Sequence, residues 1–240
     1  MASIMDLLSL SHGVLAQEAF LSNDAVADAT VGNLDWEIDA IGNASTVAYR
    51  TATECGGVRL TTAATADGDG SVLRTFTDGF VVKPGAWFRT RLSYPVELAS
   101  HNFRVGFDDS VTATSPTVGV WFDSDAGVIS CQVDSAANGD NSVSVASHPD
   151  LTSGTTLVVA EPVDLEFRCS ERANDDGGPD SVKFYINSVE VATVPCLIGD
   201  DEEVELKIAH WQDSGAADAV ALDIDYVEAW LPRTRIISGA

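Results

Sequence analysis

Glu37 and Asp39, in the stretch WEIDAIG (residues 36–42), stand two positions apart and so project from one face of an extended strand. Two carboxyl groups about 5 Å apart can cleave a glycosidic bond with retention, one as acid and the other as nucleophile. A second acidic stretch, DGDGSVLRTFTD (residues 67–78), puts Asp67, Asp69, Ser71 and Asp78 at the first, third, fifth and twelfth positions of a calcium loop. Its sixth position needs glycine but holds Val72, and no helical pattern flanks it, so a turn is expected. Asp123 with Asp125, and Asp175 with Asp176, could each hold a hard cation through carboxylates. A structural Ca²⁺ is therefore the one cofactor the sequence leaves open. The four histidines, His12, His101, His148 and His210, form neither an HxH nor an HExxH pattern. His210, beside Trp211, is read as strand-end packing. No nucleophile elbow and no phosphate loop occur. Trp36, Trp87, Trp121, Trp211 and Trp230 lie in or next to strand-like segments, so a core role is expected, with sugar stacking as the alternative.

Glu37 and Asp39 resemble the start of the ExDxxE strand of laminarinase-type sandwich glycosidases, but position 42, where the third acid belongs, is Gly42. The pair also comes early in the chain, whereas that family's motif lies mid-chain. A solvated strand face and no enzyme activity are the expectation, with a sandwich glycosidase the weakest alternative.

The charge balance narrows the partners. Thirty-seven acidic side chains oppose 13 basic ones, a net charge of -24. No dense basic patch exists to neutralise phosphates, so neither nucleic acid nor an anionic membrane is an expected partner. A surface this acidic stays hydrated and suits a salty medium that screens its repulsion. No cationic region precedes Arg50, and Ser11, His12 and Gly13 interrupt the early leucines, so secretion by a signal peptide is not expected. Cys55, Cys131, Cys169 and Cys196 form no CxxC pair; Cys131 and Cys169 fall in phase with apolar neighbours and read as buried, reduced thiols.

From Trp36 onward the pattern has period two. VDLEFRCS sets Val163, Leu165, Phe167 and Cys169 against Asp164, Glu166, Arg168 and Ser170; SVKFYIN and VELKIAH behave alike. Turn clusters such as ADGDGS, SAANGDNS, ANDDGGPD and IGDDEE separate the runs, and Asn187-Ser188 reads as a strained two-residue hairpin turn. About a dozen such runs without a long helical period predict a single antiparallel sandwich over residues 35–232. The first 34 residues differ. Ser3 with Asp6 could cap a short helix ending at Gly13, and Ile4, Leu7, Leu8, Leu10, Val14, Leu15, Phe20 and Leu21 give this arm an apolar surface that needs a partner. Residues 233–240 form a tail. In ALDIDYVEAW, residues 221–230, Leu222, Ile224 and Tyr226 are expected to face the core and Asp223 and Asp225 water; the phase slips at Val227, as a bulge or a covered face would cause.

That closing strand, after SVKFYINSVEVATV and VELKIAHW, resembles the C-terminal half of concanavalin A-like (laminin G-like) jelly rolls. The resemblance implies an all-β antiparallel jelly roll whose last strand returns beside the first. Together with GGVRLTTAATADGDGSVL, FRVGFDDS and VGVWFDSDAG, and with the arm in front, residues 35–232 look like lectin-like virion proteins of tailed bacteriophages. The resemblance implies a non-enzymatic capsid decoration or head-fibre protein, made in the host cytoplasm and carried on the outer capsid surface. Its partners would be the major capsid protein and its own copies, as in a trimer, with the arm as the attachment. A carbohydrate-binding adsorption protein, a fibre tip or lectin that meets surface glycans, is the alternative.

Overall fold

A computed structural model describes residues 13–18, 20, 30–31, 36–41, 45–50, 56–62, 68–95, 101–110, 116–145, 147–212 and 219–232. Every regular element among them is a strand. The first eight are β1 (Gly13–Glu18), β2 (Thr30–Val31), β3 (Trp36–Ile41), β4 (Thr46–Tyr49), β5 (Val58–Thr61), β6 (Gly70–Val81), β7 (Trp87–Ser93) and β8 (His101–Asp108). Then follow β9 (Gly119–Asp125), β10 (Val128–Ser135), β11 (Gly139–Ser144), β12 (Val163–Cys169), β13 (Ser181–Ile186), β14 (Val189–Pro195), β15 (Glu203–Gln212) and β16 (Ala221–Pro232). All pairings are antiparallel and build two sheets. The first runs β14-β13-β12-β7-β16-β5-β4, with β1 also on β16; the second runs β11-β10-β9-β8-β15-β6-β3-β2. The expected helix over residues 3–12 lies outside the described residues.

Alternation decides which side chains meet between the sheets. On β12, Val163, Leu165, Phe167 and Cys169 are buried, as the sequence pattern requires. Register aligns Phe88, Phe167 and Phe184 across β7, β12 and β13. Phe88 stacks on Phe167 at 5.2 Å, and Phe107 and Phe122 of the opposite sheet meet Phe167 and Phe184 edge-on at 5.0 and 5.1 Å. These are the favoured geometries for aromatic pairs. Asn187 and Ser188 form the two-residue hairpin turn expected there, and both have positive φ, 47° and 67°, as a type I′ turn requires. Asn187 is tied down, since its Oδ1 accepts from Asp164 N at 2.9 Å and its Nδ2 donates to Asp150 at 2.8 Å.

Cys131, Cys169 and Cys196 are buried, unpaired thiols. Burial pushes the Cys131 thiol up to about 12 and that of Cys196 to about 11. A thiol reagent at pH 8 should therefore leave all three unreacted in the native protein and modify each after denaturation without reductant. Rapid native labelling of any of them would contradict the packing.

β16 contains a bulge, one of the two explanations the sequence leaves open for its slip of phase. Its register against β7 shifts between Ile224 and Tyr226, so Leu222 and Ile224 point inward, Tyr226 turns outward, and Val227 and Ala229 return to the core. Tyr226 thus departs from its expected core position; its hydroxyl donates to Asp164 at 2.8 Å. Asp223 departs too. It is buried rather than wet, held bidentately by Arg59 at 2.6 and 2.7 Å, with Arg50 at 3.6 Å.

The first sheet also takes in part of the segment before residue 35. β1 pairs with β16 from Gly13↔Pro232 to Glu18↔Val227, so the last strand lies beside the first. Ala16 and Phe20 are buried, and the Phe20 ring lies 6.0 Å from that of Trp36. Of the apolar arm residues, Phe20 is a core residue and Leu15 is half-buried on the sheet's outer face opposite Trp230. Val14 is placed on β1 opposite Leu231. Ile4, Leu7, Leu8, Leu10 and Leu21 lie outside the described residues.

Candidate ligand-binding face

The outward positions of the second sheet carry an unusual density of charge. Alternation and register bring Glu37 and Asp39 of β3, Arg74 of β6, Glu205 and Lys207 of β15, Arg104 and Asp108 of β8, and Asp123 of β9 onto one face. Three cations organise it. Arg74 meets Asp39 at 2.6 Å, Glu37 at 3.0 Å and Glu205 at 3.6 Å. Lys207 lies 3.0 Å from Asp108 and 3.3 Å from Glu205, and donates to the Ser110 carbonyl. Glu205 therefore links the first two centres. The Arg104 guanidinium lies 5.3 Å from the Trp121 ring and 5.5 Å from the Trp211 ring, within cation–π range of both, and 3.7 Å from Asp123.

Packing explains how this face holds together. Gly106 sits opposite both Lys207 and Trp121. A Cβ there would come within 2.4 Å of the Val120 carbonyl and 2.8 Å of the Trp121 Cα, so only glycine lets β8 and the Trp121 side chain pack this closely. Lys207 and Asp108 are fully buried, and Trp121 is only 3% exposed, whereas Trp211 is half-buried. The Trp121 indole Nε1 is a buried donor with no hydrogen-bond partner in the protein.

Desolvation governs titration here. Burial pushes the Asp108 carboxyl above the ordinary range, although Lys207 and Arg104 pull the other way. Asp123 is also raised by burial, against the pull of Arg104. Asp134, on β10, is raised to about 6 by burial and then by Asp140. The folded protein therefore binds a proton at Asp134 between about pH 6 and pH 4 that the unfolded chain leaves off. The stabilisation is fully present below about pH 4 and is lost as pH rises through 6. Asp134→Asn should consequently stabilise the fold by about 1–2 kcal/mol at pH 8 and change little at pH 4. Denaturant midpoints at both pH values test this, and an equal effect at both would show that the carboxyl titrates normally.

The expected sites distribute unevenly over this geometry. Glu37 and Asp39 do share a face, but both are bound to one guanidinium, that of Arg74. Asp69 and Asp78 lie just before and within the twelve-residue strand β6, which replaces the turn expected across residues 67–78. Asp123 and Asp125 are on β9, and Asp175 and Asp176 lie in the turn before β13. No group of three or more metal-ligating side chains converges among the described residues. His210 is packed in the core, 5.6 Å from Tyr94 and 6.2 Å from His101, and burial lowers its pKa to about 3.

The tryptophans give the main correction. Trp36 alone of the five belongs to the core between the sheets. Trp121 and Trp211 stand on the outer face of the second sheet, and Trp87 and Trp230, directly opposite each other on β7 and β16, on the outer face of the first. A signal was present: Trp121 shares its phase with Asp123 and Asp125, Trp87 with Arg89 and Arg91, Trp211 with Lys207, and Trp230 with Glu228.

Two eight-stranded antiparallel sheets, a central last strand and an aromatic core between them define a jelly-roll β-sandwich of the concanavalin A-like type. No family model matches the chain, and no curated protein matches it. Solved structures do. A protein of unknown function from Shewanella oneidensis superposes with a TM-score of 0.62 at 10% identity, over 95% of this chain and 90% of that one. The Bacillus licheniformis β-glucanase gives 0.55 at 12% identity, over 90% and 97%. The carbohydrate recognition domain of Emp47p gives 0.55 at 9% identity, over 90% and 96%. At such identities the likeness establishes the fold.

Proposed function

We propose that this chain is a non-enzymatic glycan-binding jelly roll, and that the β8–β9–β15 face of the second sheet engages the ligand. The observation that carries this reading is the half-buried, outward-facing Trp211, held beside Arg104 and Trp121 and bordered by the partly exposed Asp123. An indole plane stacks on the apolar face of a sugar while neighbouring polar groups take its hydroxyls. Similarity in fold to a carbohydrate recognition domain supports the same reading. The carboxylates nearest to a glycosidase pair, Glu37 and Asp39, are both engaged by Arg74, which supports the non-enzymatic reading. We place the protein on the outer surface of a tailed-phage virion, as an adsorption or capsid decoration protein. The strand and turn order of residues 35–232 and the net charge of -24 favour that setting, and Ile4, Leu7, Leu8 and Leu10 are the side chains we assign to attachment.

Binding to a glycan array, followed by titration of the strongest hit, tests the site. Trp211→Ala should weaken binding at least tenfold, about 1.4 kcal/mol, without lowering the melting temperature much. Laminarin, agar and bacterial polysaccharides should not be turned over. Hydrolysis that vanishes in Glu37→Gln would overturn the non-enzymatic reading, and absence of the chain from purified particles by mass spectrometry would overturn the placement.

A further inference from the structure

The opposite face of the sandwich carries a cavity of about 450 Å³, lined by Trp87, Arg89, Glu166, Arg168, Glu171 and Glu228 among others. It opens on the outer face of the first sheet, where β12, β7 and β16 lie side by side. Its volume falls in the range of small-molecule sites.

From Trp87 at the cavity, the register continues an apolar row along the sheet. Trp87 lies directly opposite Trp230, and Trp230 directly opposite Leu15, so three half-buried apolar side chains cross β7, β16 and β1 in one row. With strands about 4.8 Å apart, the row is roughly 10 Å long. Two residues along the strands the row turns polar: Arg89 pairs with Glu228, and Glu228 with Gln17, whose Nε2 donates to it at 2.7 Å. The rim comes from the turn before β7. Gly85 has a φ of +81°, and Ala86 N donates to the Lys83 carbonyl at 3.0 Å, closing a Pro-Gly turn. A Cβ at Gly85 would lie 3.1 Å from both carboxylate oxygens of Glu171, so the glycine leaves that carboxylate its place at the cavity.

We propose that this cavity is a second sugar site, specific for a neutral, hydroxyl-rich ring. Charge selects the class. The two guanidinium groups are already engaged: Arg168 binds Glu166 and lies over Tyr185 at 5.5 Å, while Arg89 lies 3.6 Å from Asp164 and 5.5 Å from the Tyr226 ring. Three lining carboxylates against two guanidiniums repel an anion, and the guanidiniums deter a cation. Glu171 and Glu228 accept hydrogen bonds from hydroxyls, and Trp87 offers an aromatic ring to C–H groups. The site is separate from the Trp211 face and does not depend on it.

The five indole N–H signals of ¹⁵N-labelled protein, assigned by single Trp→Phe variants, read the two faces independently. The probes are neutral tetrasaccharides of glucose and of N-acetylglucosamine, with tetragalacturonate as the anionic arm. We expect a neutral probe to shift Trp87 and Trp230 saturably, with Trp36 unmoved. Trp87→Ala and Glu171→Gln should each weaken that response at least tenfold and leave any Trp211 response intact. Glu171 is exposed, so its variant keeps the test open if Trp87→Ala does not fold. Shifts confined to Trp121 and Trp211 would overturn this second site while upholding the first. A Trp87 response to the anionic probe alone would overturn the neutral class, and no Trp87 response to any probe would overturn the site.

Discussion

Lys207→Ala will destabilise the protein by about 3–5 kcal/mol, because it strands a buried carboxylate. Lys207 and Asp108 are each only 2% exposed at the side chain and lie 3.0 Å apart. Removing the ammonium leaves Asp108 without its counter-ion, deprives the Ser110 carbonyl of a donor, and frees Glu205 from one of its two cations. Water cannot repair this without opening the β8–β15 face. Adding Asp108→Asn to Lys207→Ala should recover a large part of the loss, since the uncompensated charge is then gone. Denaturant midpoints of the two single variants and the double variant provide the coupling energy. A cost below about 1 kcal/mol for Lys207→Ala would mean that solvent already reaches the pair.

Phe20→Ala will cost a comparable amount, about 3–5 kcal/mol. Phe20 is 1% exposed, packs on Trp36, and holds a backbone φ of 46° that an aromatic residue seldom adopts. Its surroundings fix that conformation: Phe20 N donates to Glu18 Oε1 at 2.8 Å, and Gly57 N donates to the Phe20 carbonyl at 3.2 Å. Truncations should divide accordingly. Deleting residues 2–12 leaves β1 and Phe20 in place, and the melting temperature should move by only a few degrees. Deleting residues 2–30 removes both, bares an edge of β16 and uncovers Trp36, and should abolish a cooperative melt in circular dichroism. A stable, β-rich protein lacking residues 2–30 would show instead that β1 is an ornament on a complete sandwich. Leu7→Asp with Leu8→Asp separates folding from attachment, since it should reduce particle binding without shifting the melt.

The difference between Phe20 and Phe167 shows what could be read in the sequence. Phe167 sits in VDLEFRC, where four inward and three outward positions alternate cleanly, so strand, face and burial were all local information. Phe20 follows GVLAQE, where the inward positions include Ala16 and a buried Glu18 and the outward ones include Leu15. The hydrophobic period is too weak there to declare a strand, and the strand exists because β16, more than 200 residues later, supplies its hydrogen bonds. The bulge in β16 was visible as a slip of phase, yet its consequence for Tyr226 depended on β7. The charged face was legible only as polar positions. That Lys207 would be buried follows from register, which places β6 and β8 on either side of it, and register is set by non-local pairing. Glu37 and Asp39 were correctly placed on one face, but their shared attachment to Arg74 came from the neighbouring strand.

The position of β16 also sets when the protein can fold. It follows every other described strand in the chain, yet it lies between β7 on one side and β5 and β1 on the other. Until residues 221–232 leave the ribosome, the first sheet exists only as separate pieces with nothing to join them. At roughly 5–20 residues per second, β7, completed about 128 residues before β16 begins, waits roughly 6–26 seconds with its β16 edge unpaired. Such long-range pairing makes folding slow as well as late. A premature stop anywhere before Pro232 shortens or removes the strand that holds the first sheet together.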